Sequence, residues 1–435
     1  MNNNPSCSSS SSSRGEQQEE AGGESSRVIQ QKQEDDHAAG AGIIIGTEDA
    51  DELSPPRCEW EFRLAASVPS PALPGASDAI GSIDLDPTGR FLATGGIARK
   101  IRMYSVASLL LLDDNDDQQA LVASSCICVP AKLSSVRWRP TTTLSSSSSS
   151  SPSLVGCGDY DGVVTEYDVE RGLPAWERDE HSGRRVWALD YAPAATMAAS
   201  GSDDRTAHVW DPRAPSAGWA TARAGGAVLC VEFDPSGGPQ LAVGSADRRA
   251  AVYDVRALGR GPVAWMDGHG RPVTYVRWAG RQRVVTSAAD GTHRLWETTA
   301  AAAAAREVRC YSGHASARSF VGMGVWRQPG LVASGSESNH VFVYDLRWAK
   351  PIWVHPFVSS SSEAHNDPNA GPAFVSAVAW RQGGPPLGLG LGCHHGTDDD
   401  DTGTLVAGGS DGALKMFTCQ RRKAPADQTI PSIDL

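Results

Sequence analysis

Hydrophobic residues from about residue 60 onward occur in short runs in which apolar and polar side chains alternate. Typical runs read VRWRP, LDYAP, VEFDPSG and VRWAG, and each ends near a Pro or Gly. A period of two is the pattern of a β-strand. Other runs, such as AASGSDDRTAHVWD and AVGSADRRAAVYD, join a small-residue strand to a second strand through a tight Asp-containing turn. The pattern therefore predicts many short strands separated by turns.

These strands recur as a unit that closes on an aromatic residue. The closing residues are Tyr104, Tyr167, Trp210, Tyr253, Trp296, Tyr344 and Phe417, with successive spacings of 63, 43, 43, 43, 48 and 73 residues. The repeated interval of 43 indicates a structural repeat, and insertions near residues 113–117, 145–151 and 383–403 account for the long intervals. Because insertions are tolerated between strands, we expect seven units of one architecture.

Each unit carries a second recurring position, six residues before the closing aromatic. The residues there are Ala98, Asp161, Asp204, Asp247, Asp290, Ser338 and Asp411. An aspartate in a turn accepts hydrogen bonds from nearby amides and can hold a histidine supplied by the preceding loop. We expect two such sets to be structural rather than catalytic. They comprise His269, Thr286, Asp290 and Trp296 in one unit, and His181, Ser200, Asp204 and Trp210 in another.

A unit of about 43 residues with a Gly-His pair, a small-x-small-Asp turn and a Trp-Asp ending resembles the WD40 repeat. Seven of them imply an all-β fold, a seven-bladed WD40 β-propeller over residues 57–420. Trp60, Phe62 and Leu64 alternate on one face of a segment that precedes the first unit. We expect this segment to complete the last blade, so that no sheet edge stays open.

Composition separates a tail from this folded body. The chain has 435 residues and a net charge of −12, and residues 1–59 hold 4 basic and 12 acidic groups. This segment is rich in Ser, Gly and Gln and has no aromatic residue before Trp60. Such a composition cannot bury enough apolar surface to order itself. We therefore predict a disordered acidic tail over residues 1–56 and a short C-terminal tail over residues 421–435.

Several functional classes are disfavoured by the sequence. It has no secretory signal pattern, no apolar stretch near the ~20 residues of a membrane span, and no CxxC pair. The GxSxG pattern at residues 408–412 falls at a strand-to-strand turn, whereas a nucleophile elbow leads into a helix. A protein that is acidic overall also offers few of the basic side chains needed to neutralise the phosphates of a nucleic acid. We expect no enzyme, catalytic residue, metal, cofactor, nucleic acid or membrane partner, and a location in the nucleus and cytosol.

One binding signal is a short box after the third unit. Trp210-Asp211-Pro212-Arg213, with weaker versions ending at Arg256 and Arg347, resembles the WDxR box of proteins that dock on the adaptor of cullin-4 ubiquitin ligases. The resemblance implies docking through Trp210, Asp211, Arg213, Arg256 and Arg347. Since the repeat already dictates Trp-Asp, the alternative is an ordinary strand end.

A second signal comes from whole units. SLVGCGDYDGVVTEYDV, GHGRPVTYVRW and LAVGSADRRAAVYDVR are similar to the propellers of the plant constitutive-photomorphogenic and suppressor-of-phytochrome-A proteins. The sixth unit, with Glu337-Ser338-Asn339 in place of an Asp turn, shares a peculiarity of that group. Since only a short acidic tail precedes the propeller, the chain best resembles the short repressors of UV-B photomorphogenesis.

This resemblance implies a peptide site on the top face of the propeller. In the larger relatives that face binds Val-Pro peptides flanked by acidic residues, and aromatic walls with Lys and Arg suit such a peptide. The matching positions are Lys132, Tyr160, Trp187, Arg248, Arg271 and Phe320. Arg248 stands where those relatives have His, so this position departs from their pattern. The alternative for the three aromatic residues is that they plug the channel.

Two functions follow as expectations from these resemblances. The first is a non-enzymatic adaptor that represses UV-B signalling by binding the UV-B photoreceptor through a Val-Pro tail and promoting its return to the inactive dimer. The second is a substrate receptor of a cullin-4 ligase. A generic scaffold with neither activity is the remaining alternative. The expected partners are the photoreceptor, photomorphogenic E3 ligase components or the cullin-4 adaptor, and transcription factors with Val-Pro motifs.

Overall fold

The structure is a computed structural model that describes residues 59–71, 76–111, 123–140, 153–179, 181–214, 218–299, 303–357, 372–382 and 401–422. The predicted tail over residues 1–56 lies outside the described residues, as does the C-terminal tail beyond residue 422. The insertions at residues 113–117 and 145–151, and residues 383–400 of the third, also lie outside them.

The described strands form seven four-stranded antiparallel sheets, which we number as blades 1–7. The first described strand is β1 (Trp60–Val68), which belongs to blade 7. Blade 1 holds β2 (Ile80–Leu85), β3 (Phe91–Gly96), β4 (Lys100–Ser105) and β5 (Ser125–Cys128), with α1 (Val106–Leu110) after β4. Blade 2 holds β6 (Leu133–Trp138), β7 (Leu154–Asp159), β8 (Val164–Asp168) and β9 (Leu173–Arg178). Blade 3 holds β10 (Val186–Tyr191), β11 (Ala198–Ser202), β12 (Thr206–Trp210) and β13 (Ala220–Arg223).

The remaining blades follow the same order. Blade 4 holds β14 (Val228–Phe233), β15 (Gln240–Ser245), β16 (Arg249–Asp254) and β17 (Ala264–Asp267), with a 3₁₀-helix (Val255–Arg260) after β16. Blade 5 holds β18 (Val273–Gly280), β19 (Arg283–Ala288), β20 (Thr292–Glu297) and β21 (Arg306–Tyr311). Blade 6 holds β22 (Met323–Trp326), β23 (Leu331–Ser334), β24 (His340–Asp345) and β25 (Pro351–Pro356). Blade 7 holds β26 (Val375–Trp380), β27 (Thr402–Gly409), β28 (Leu414–Arg421) and β1. The seven-bladed propeller predicted from the repeat is confirmed.

The first strand of the chain closes the ring. Strand β1 pairs antiparallel with β28, with Trp60 opposite Arg421 and Val68 opposite Leu414. A β-bulge between Leu64 and Ala66 shifts the register, so that residues on either side of the bulge face opposite neighbours. Trp60 joins the core between blades 6 and 7, whereas Ala66 and Val68 join the core between blades 7 and 1. Leu64 itself stays 47% exposed beside the bulge.

The closing aromatics mark the same place in every blade. Each lies on the third strand, and none is more than 6% exposed. In every blade but the second, the closing aromatic and the apolar residue before it belong to different clusters, so the hydrophobic core consists of clusters between blades. The GxSxG residues lie in β27 and its turn to β28, as expected for a strand-to-strand connection. No helix among the described residues is long and apolar enough to span a membrane.

The strand order defines two faces. In each antiparallel blade, the loop that leads into the first strand lies at the same end as the turn between the second and third strands. We call this end the top face. The opposite end, where the third strand finishes, is the bottom face. Residues from several blades meet on the top face around the central channel.

Candidate functional site

The top face carries a cluster of aromatic rings over the channel. Trp187 of β10 stacks on Phe320, with 4.8 Å between ring centroids and 26° between ring planes. Phe320 lies just before blade 6, three blades away from blade 3, so this contact crosses the channel. Tyr275 of β18 meets Phe320 edge-on at 6.1 Å. The three rings are half-buried, so part of each ring surface is exposed on the top face.

Arg185 is part of this cluster, although it is not among the residues predicted from the sequence. Its guanidinium lies 3.8 Å from the ring centroid of Tyr160 and 4.5 Å from that of Trp187. Such cation–π contacts hold rings in place and leave positive charge beside them. Gly162, with φ of +95°, lets the turn after Tyr160 approach the backbone before Arg185, since a Cβ there would lie 2.8 Å from the Arg184 amide nitrogen. Arg185 is two residues before Trp187, a spacing that puts both side chains on the same side of an extended segment. This spacing could have indicated Arg185 from the sequence.

The remaining predicted top-face residues are Lys132, Arg271 and Arg248, and they differ in their contacts. Lys132 is exposed, and its carbonyl accepts a 3.0 Å hydrogen bond from the Tyr160 amide. Arg271 is exposed and donates to the carbonyl of Ala317, in the loop that leads to Phe320. Arg248 occupies the turn between β15 and β16 with φ of +76°. Within the described part of the chain, its side chain makes no hydrogen bond or ion pair with the other five predicted residues.

The exposed basic side chains differ between the top face and the rim. On the rim, Arg249 pairs with Asp267 at 2.8 Å, and Arg306 pairs with Glu297 at 2.6 Å. A second set lies in the top-face loops and turns. Among the described residues, none of its side-chain charged groups forms an ion pair with a carboxylate within 4.0 Å, although the backbone amide of Arg318 donates to Glu337. The set comprises Arg99, Lys132, Arg184, Arg205, Arg248, Arg271 and Arg318. The top face is therefore suited to an acidic ligand that supplies the missing carboxylates.

A cavity of about 430 Å³ is lined by the ends of the innermost strands, away from the top face. Carboxylates there connect neighbouring blades, since Asp84 accepts from the Trp138 amide at 2.8 Å and Asp190 from the Phe233 amide at 2.8 Å. Burial raises the pKa of Asp190 to about 7, although Arg137 opposes the shift. The inner strands therefore carry these carboxylates because they hydrogen-bond to the backbone of the next blade.

The predicted set in blade 5 forms a continuous chain of hydrogen bonds. Trp296 Nε1 donates to Thr286 Oγ1 at 2.8 Å, and the Thr286 hydroxyl meets His269 Nε2 at 2.7 Å. His269 Nδ1 donates to Asp290 Oδ2 at 3.0 Å. Burial alone would raise the pKa of Asp290, but hydrogen bonds from His269 and Thr292 outweigh it and lower the pKa. The four groups fasten the loop before β18 to the turn after β19.

The set in blade 3 is shorter than expected. His181 meets Asp204 at 2.8 Å and Ser200 at 2.7 Å, as in blade 5. The expectation that Trp210 completes the set is wrong, because its Nε1 has no hydrogen-bond partner among the described residues. The Trp210 ring instead meets Trp176 of blade 2 edge-on at 6.2 Å.

One group of side chains approaches the composition of a metal site. The ligand atoms of His181, Asp204 and His208 lie within 4.8 Å of one another. However, both nitrogens of His181 are already hydrogen-bonded. The rings of His181 and His208 stack at 4.5 Å and 25°, so their in-plane lone pairs run side by side instead of converging. Packing and hydrogen bonding account for this group. The sequence also places His394 and His395 close to the acidic run at residues 398–401, but these residues lie outside the described part of the chain, apart from Asp401.

The residues of the predicted ligase-docking boxes lie on the bottom face, where third strands end. Arg213 forms a fork with Asp211, with bonds of 2.9 and 2.7 Å, and Arg256 forms the same fork with Asp254 at 2.9 and 2.6 Å. Arg347 forks with Asp345 and also contacts Glu59 at 3.2 Å. Trp210 is only 4% exposed, so it offers no docking surface, whereas the Arg213 side chain is 58% exposed.

Comparison with known proteins agrees with this architecture. Residues 68–105, 174–211 and 261–297 match the family described as WD domain, G-beta repeat. The chain is 47% identical to the WD repeat-containing protein RUP1 of Arabidopsis thaliana, over 83% of this chain and 86% of that protein. It is 46% identical to RUP2 of the same plant, over 80% of this chain and 89% of that protein. The chain belongs to the RUP-type WD40-repeat proteins.

More distant relatives match this chain over less than half of their own length. This RUP-type chain is 30% identical to the protein SPA1-RELATED 3 of Arabidopsis thaliana, over 82% of this chain but 38% of that protein. Similarity also extends to the E3 ubiquitin-protein ligase COP1. The three segments that match the WD repeat end at or next to the closing aromatics of blades 1, 3 and 5. Blades 3 and 5 of the RUP-type chain are the ones that hold the histidine sets.

Proposed function

We propose that the protein is a non-enzymatic adaptor that represses plant UV-B signalling in the nucleus and cytosol. In this proposal it binds the UV-B photoreceptor through an acidic Val-Pro segment and promotes the photoreceptor's return to its inactive dimer. Photomorphogenic E3 ligase components and transcription factors with Val-Pro motifs are further partners. The similarity to RUP1 and RUP2 over more than four-fifths of their lengths supports this assignment.

The observation that carries the proposal is the combination of rings and unpaired cations on the top face. Tyr160, Trp187 and Phe320 offer half-buried aromatic surface, against which a stiff Val-Pro pair packs at low entropic cost. The Lys132 carbonyl accepts from the Tyr160 amide, and Arg271 donates to the Ala317 carbonyl in the loop before Phe320. Neither side chain has a carboxylate partner among the described residues. Acidic residues on either side of the Val-Pro pair would meet these cations through charge-assisted hydrogen bonds.

Binding of a synthetic peptide to the full chain tests this proposal. We expect a Val-Pro peptide with Asp and Glu on both sides to bind with a dissociation constant below ~100 μM. Affinity should fall with added salt because the contacts are exposed ion pairs. The matched control replaces Val-Pro by Ala-Ala and keeps the acidic residues. Equal affinity for both peptides, or no binding at ~100 μM, rejects the site.

Docking on a cullin-4 ligase adaptor is a second candidate, favoured by the three Arg–Asp forks at equivalent positions of blades 3, 4 and 6. The forks hold the arginines in fixed orientations at the bottom face, away from the peptide site. Co-purification of the adaptor with Arg213→Ala tests it, with Arg306→Ala as the control for a paired rim arginine. Loss of adaptor with Arg213→Ala alone supports docking, and unchanged recovery rejects it.

A further inference from the structure

Glu337 binds the loop that carries Phe320. Its Oε1 accepts hydrogen bonds from three successive amides, those of Ala317 at 3.0 Å, Arg318 at 2.6 Å and Ser319 at 2.6 Å. Successive backbone N–H groups that converge on one oxygen form an anion-binding nest. The nest here is occupied by a side chain of the same blade.

The turn and the loop are joined at two further points. The Glu337 amide donates to the Ala315 carbonyl at 2.8 Å, and the Ala315 amide donates to Ser336 Oγ at 2.9 Å. Phe320 follows the nest directly in the chain, so the path of residues 315–319 determines where its ring begins. That ring then reaches Trp187 across the channel.

The sequence of the sixth unit suits this arrangement. Where five other units have aspartate in the turn, this unit has Ser338, whose hydroxyl meets Ser336 Oγ at 2.8 Å. The carboxylate in this unit belongs to Glu337, one residue earlier, and it accepts from amides of the loop before β22. Burial acts to raise the pKa of Glu337, but the three amide hydrogen bonds outweigh it and lower the pKa. Hydrogen bonds to an ionised acceptor are roughly twice as strong as neutral ones.

We propose that Glu337 is a positioning residue of the top-face peptide site, holding the 315–319 loop so that Phe320 meets Trp187. This role rests on the function proposed above. Glu337 does not touch the peptide in this proposal. It acts by ordering an aromatic wall before the peptide arrives, which lowers the entropic cost of binding.

Substitution of Glu337 separates this role from simple electrostatics. Glu337→Ala removes a negative charge from a basic face, so long-range attraction alone predicts tighter binding of an acidic peptide. Loss of positioning predicts the opposite, a roughly tenfold weaker affinity for the acidic Val-Pro peptide. Glu337→Gln keeps an acceptor oxygen without the charge, and we expect it to restore part of the affinity.

The control and a second readout complete the test. Glu307→Ala removes a carboxylate that pairs with Arg294 at 2.6 Å on the outer part of blade 5, and we expect wild-type affinity from it. Hydrogen exchange followed by mass spectrometry on the full chain reports the loop without any peptide. Amides of residues 315–319 should exchange faster in Glu337→Ala than in wild type and in Glu307→Ala. If Glu337→Ala does not fold, Glu337→Gln carries both comparisons.

The outcomes distinguish this role from the function on which it rests. Absence of binding by the wild-type chain overturns the proposed function and, with it, this role. Wild-type binding together with equal or tighter binding by Glu337→Ala overturns the positioning role alone. Weaker binding by Glu337→Ala, with faster exchange in the loop and an unchanged Glu307→Ala, supports it.

Discussion

Trp187 and Phe320 stack across the channel mouth, with 4.8 Å between their ring centroids, although they belong to blades 3 and 6. Each ring is held separately, since Trp187 Nε1 donates to Asp203 at 2.6 Å and Phe320 follows the loop bound by Glu337. The stack therefore joins two opposite sides of the propeller into one aromatic surface. This stack is compatible with both alternatives for the rings, a plug of the channel and a wall of the binding site.

Shared surface predicts non-additive effects of removing the two rings. We expect Trp187→Ala and Phe320→Ala each to weaken binding of the acidic Val-Pro peptide by roughly tenfold, because each exposes the other ring to water. The double variant should lose less than the sum, by about 0.5–1.5 kcal/mol in a double-mutant cycle. Isothermal titration calorimetry of the four proteins measures this.

The control for these variants is Trp265→Ala, a 37% exposed tryptophan on the outer strand of blade 4. It removes the same ring at a distance from the channel, and we expect its affinity for the peptide to equal that of wild type. Unchanged binding in both channel variants would show that the rings only plug the channel.

Arg185 provides a second prediction about the same surface. Arg185→Ala should weaken peptide binding roughly threefold to tenfold, because Tyr160 and Trp187 lose the guanidinium that lies over both rings. Arg185→Lys keeps the charge but lacks the planar group, so we expect an intermediate loss. Arg184→Ala, an exposed neighbour with the same charge, is the matched control. Equal losses in Arg184→Ala and Arg185→Ala would mean that only net charge counts.

The repeat made most of the propeller predictable, because its signals are local. The closing aromatics and turn aspartates recur within single units, and the strand at Trp60 has no pairing partner until the last unit supplies β28. The same logic failed at Trp210, whose ring contacts Trp176 from blade 2. The sequence pattern of a single repeat does not reveal which side chain of the adjacent blade a residue contacts.

The missed site residues have the same physical cause. Arg185 matters because Tyr160 of blade 2 lies beneath it, and Glu337 matters because of a loop 18–20 residues earlier in the chain. Both contacts depend on how loops fold over the top face. The exposure of Leu64 depends in turn on a bulge in the pairing of β1 with β28, which alternation of residue types does not reveal.

The two histidine sets should differ in their sensitivity to loss of the central hydroxyl. Thr286→Ala removes a partner from both His269 and Trp296, whereas Ser200→Ala removes a partner from His181 alone. A buried polar group left unsatisfied costs about 1–3 kcal/mol, so Thr286→Ala should lower the free energy of unfolding about twice as much. Urea unfolding of both variants measures the difference. Thr286→Ser, which keeps the hydroxyl, should stay within about 1 kcal/mol of wild type.

A buried histidine pair should make the propeller sensitive to mild acid. His293 lies flat against His314, with 3.9 Å between ring centroids, and neither nitrogen of His293 has a hydrogen-bond partner among the described residues. Burial lowers the pKa of His314 to about 4 and, helped by His314 and His269, lowers that of His293 well below its usual range. The unfolded chain therefore takes up protons first as the pH falls below about 6.5.

Stability should consequently be unaffected by these groups above pH 7 and should fall steadily between about pH 6.5 and 4, by ~2 kcal/mol per histidine at pH 5. The lowered pKa of Asp290 acts in the same direction but only below the usual aspartate range, so it does not contribute in this window. Urea unfolding at pH 7.5, 6.0 and 5.0 measures the slope. His293→Phe keeps an aromatic ring in the stack without a titrating group, and at pH 5.0 it should lose about 2 kcal/mol less than wild type. Other groups that titrate in this window, such as His208 and Asp190, act equally in both proteins and cancel in this comparison. An equally steep decline in that variant would assign the acid sensitivity to other residues.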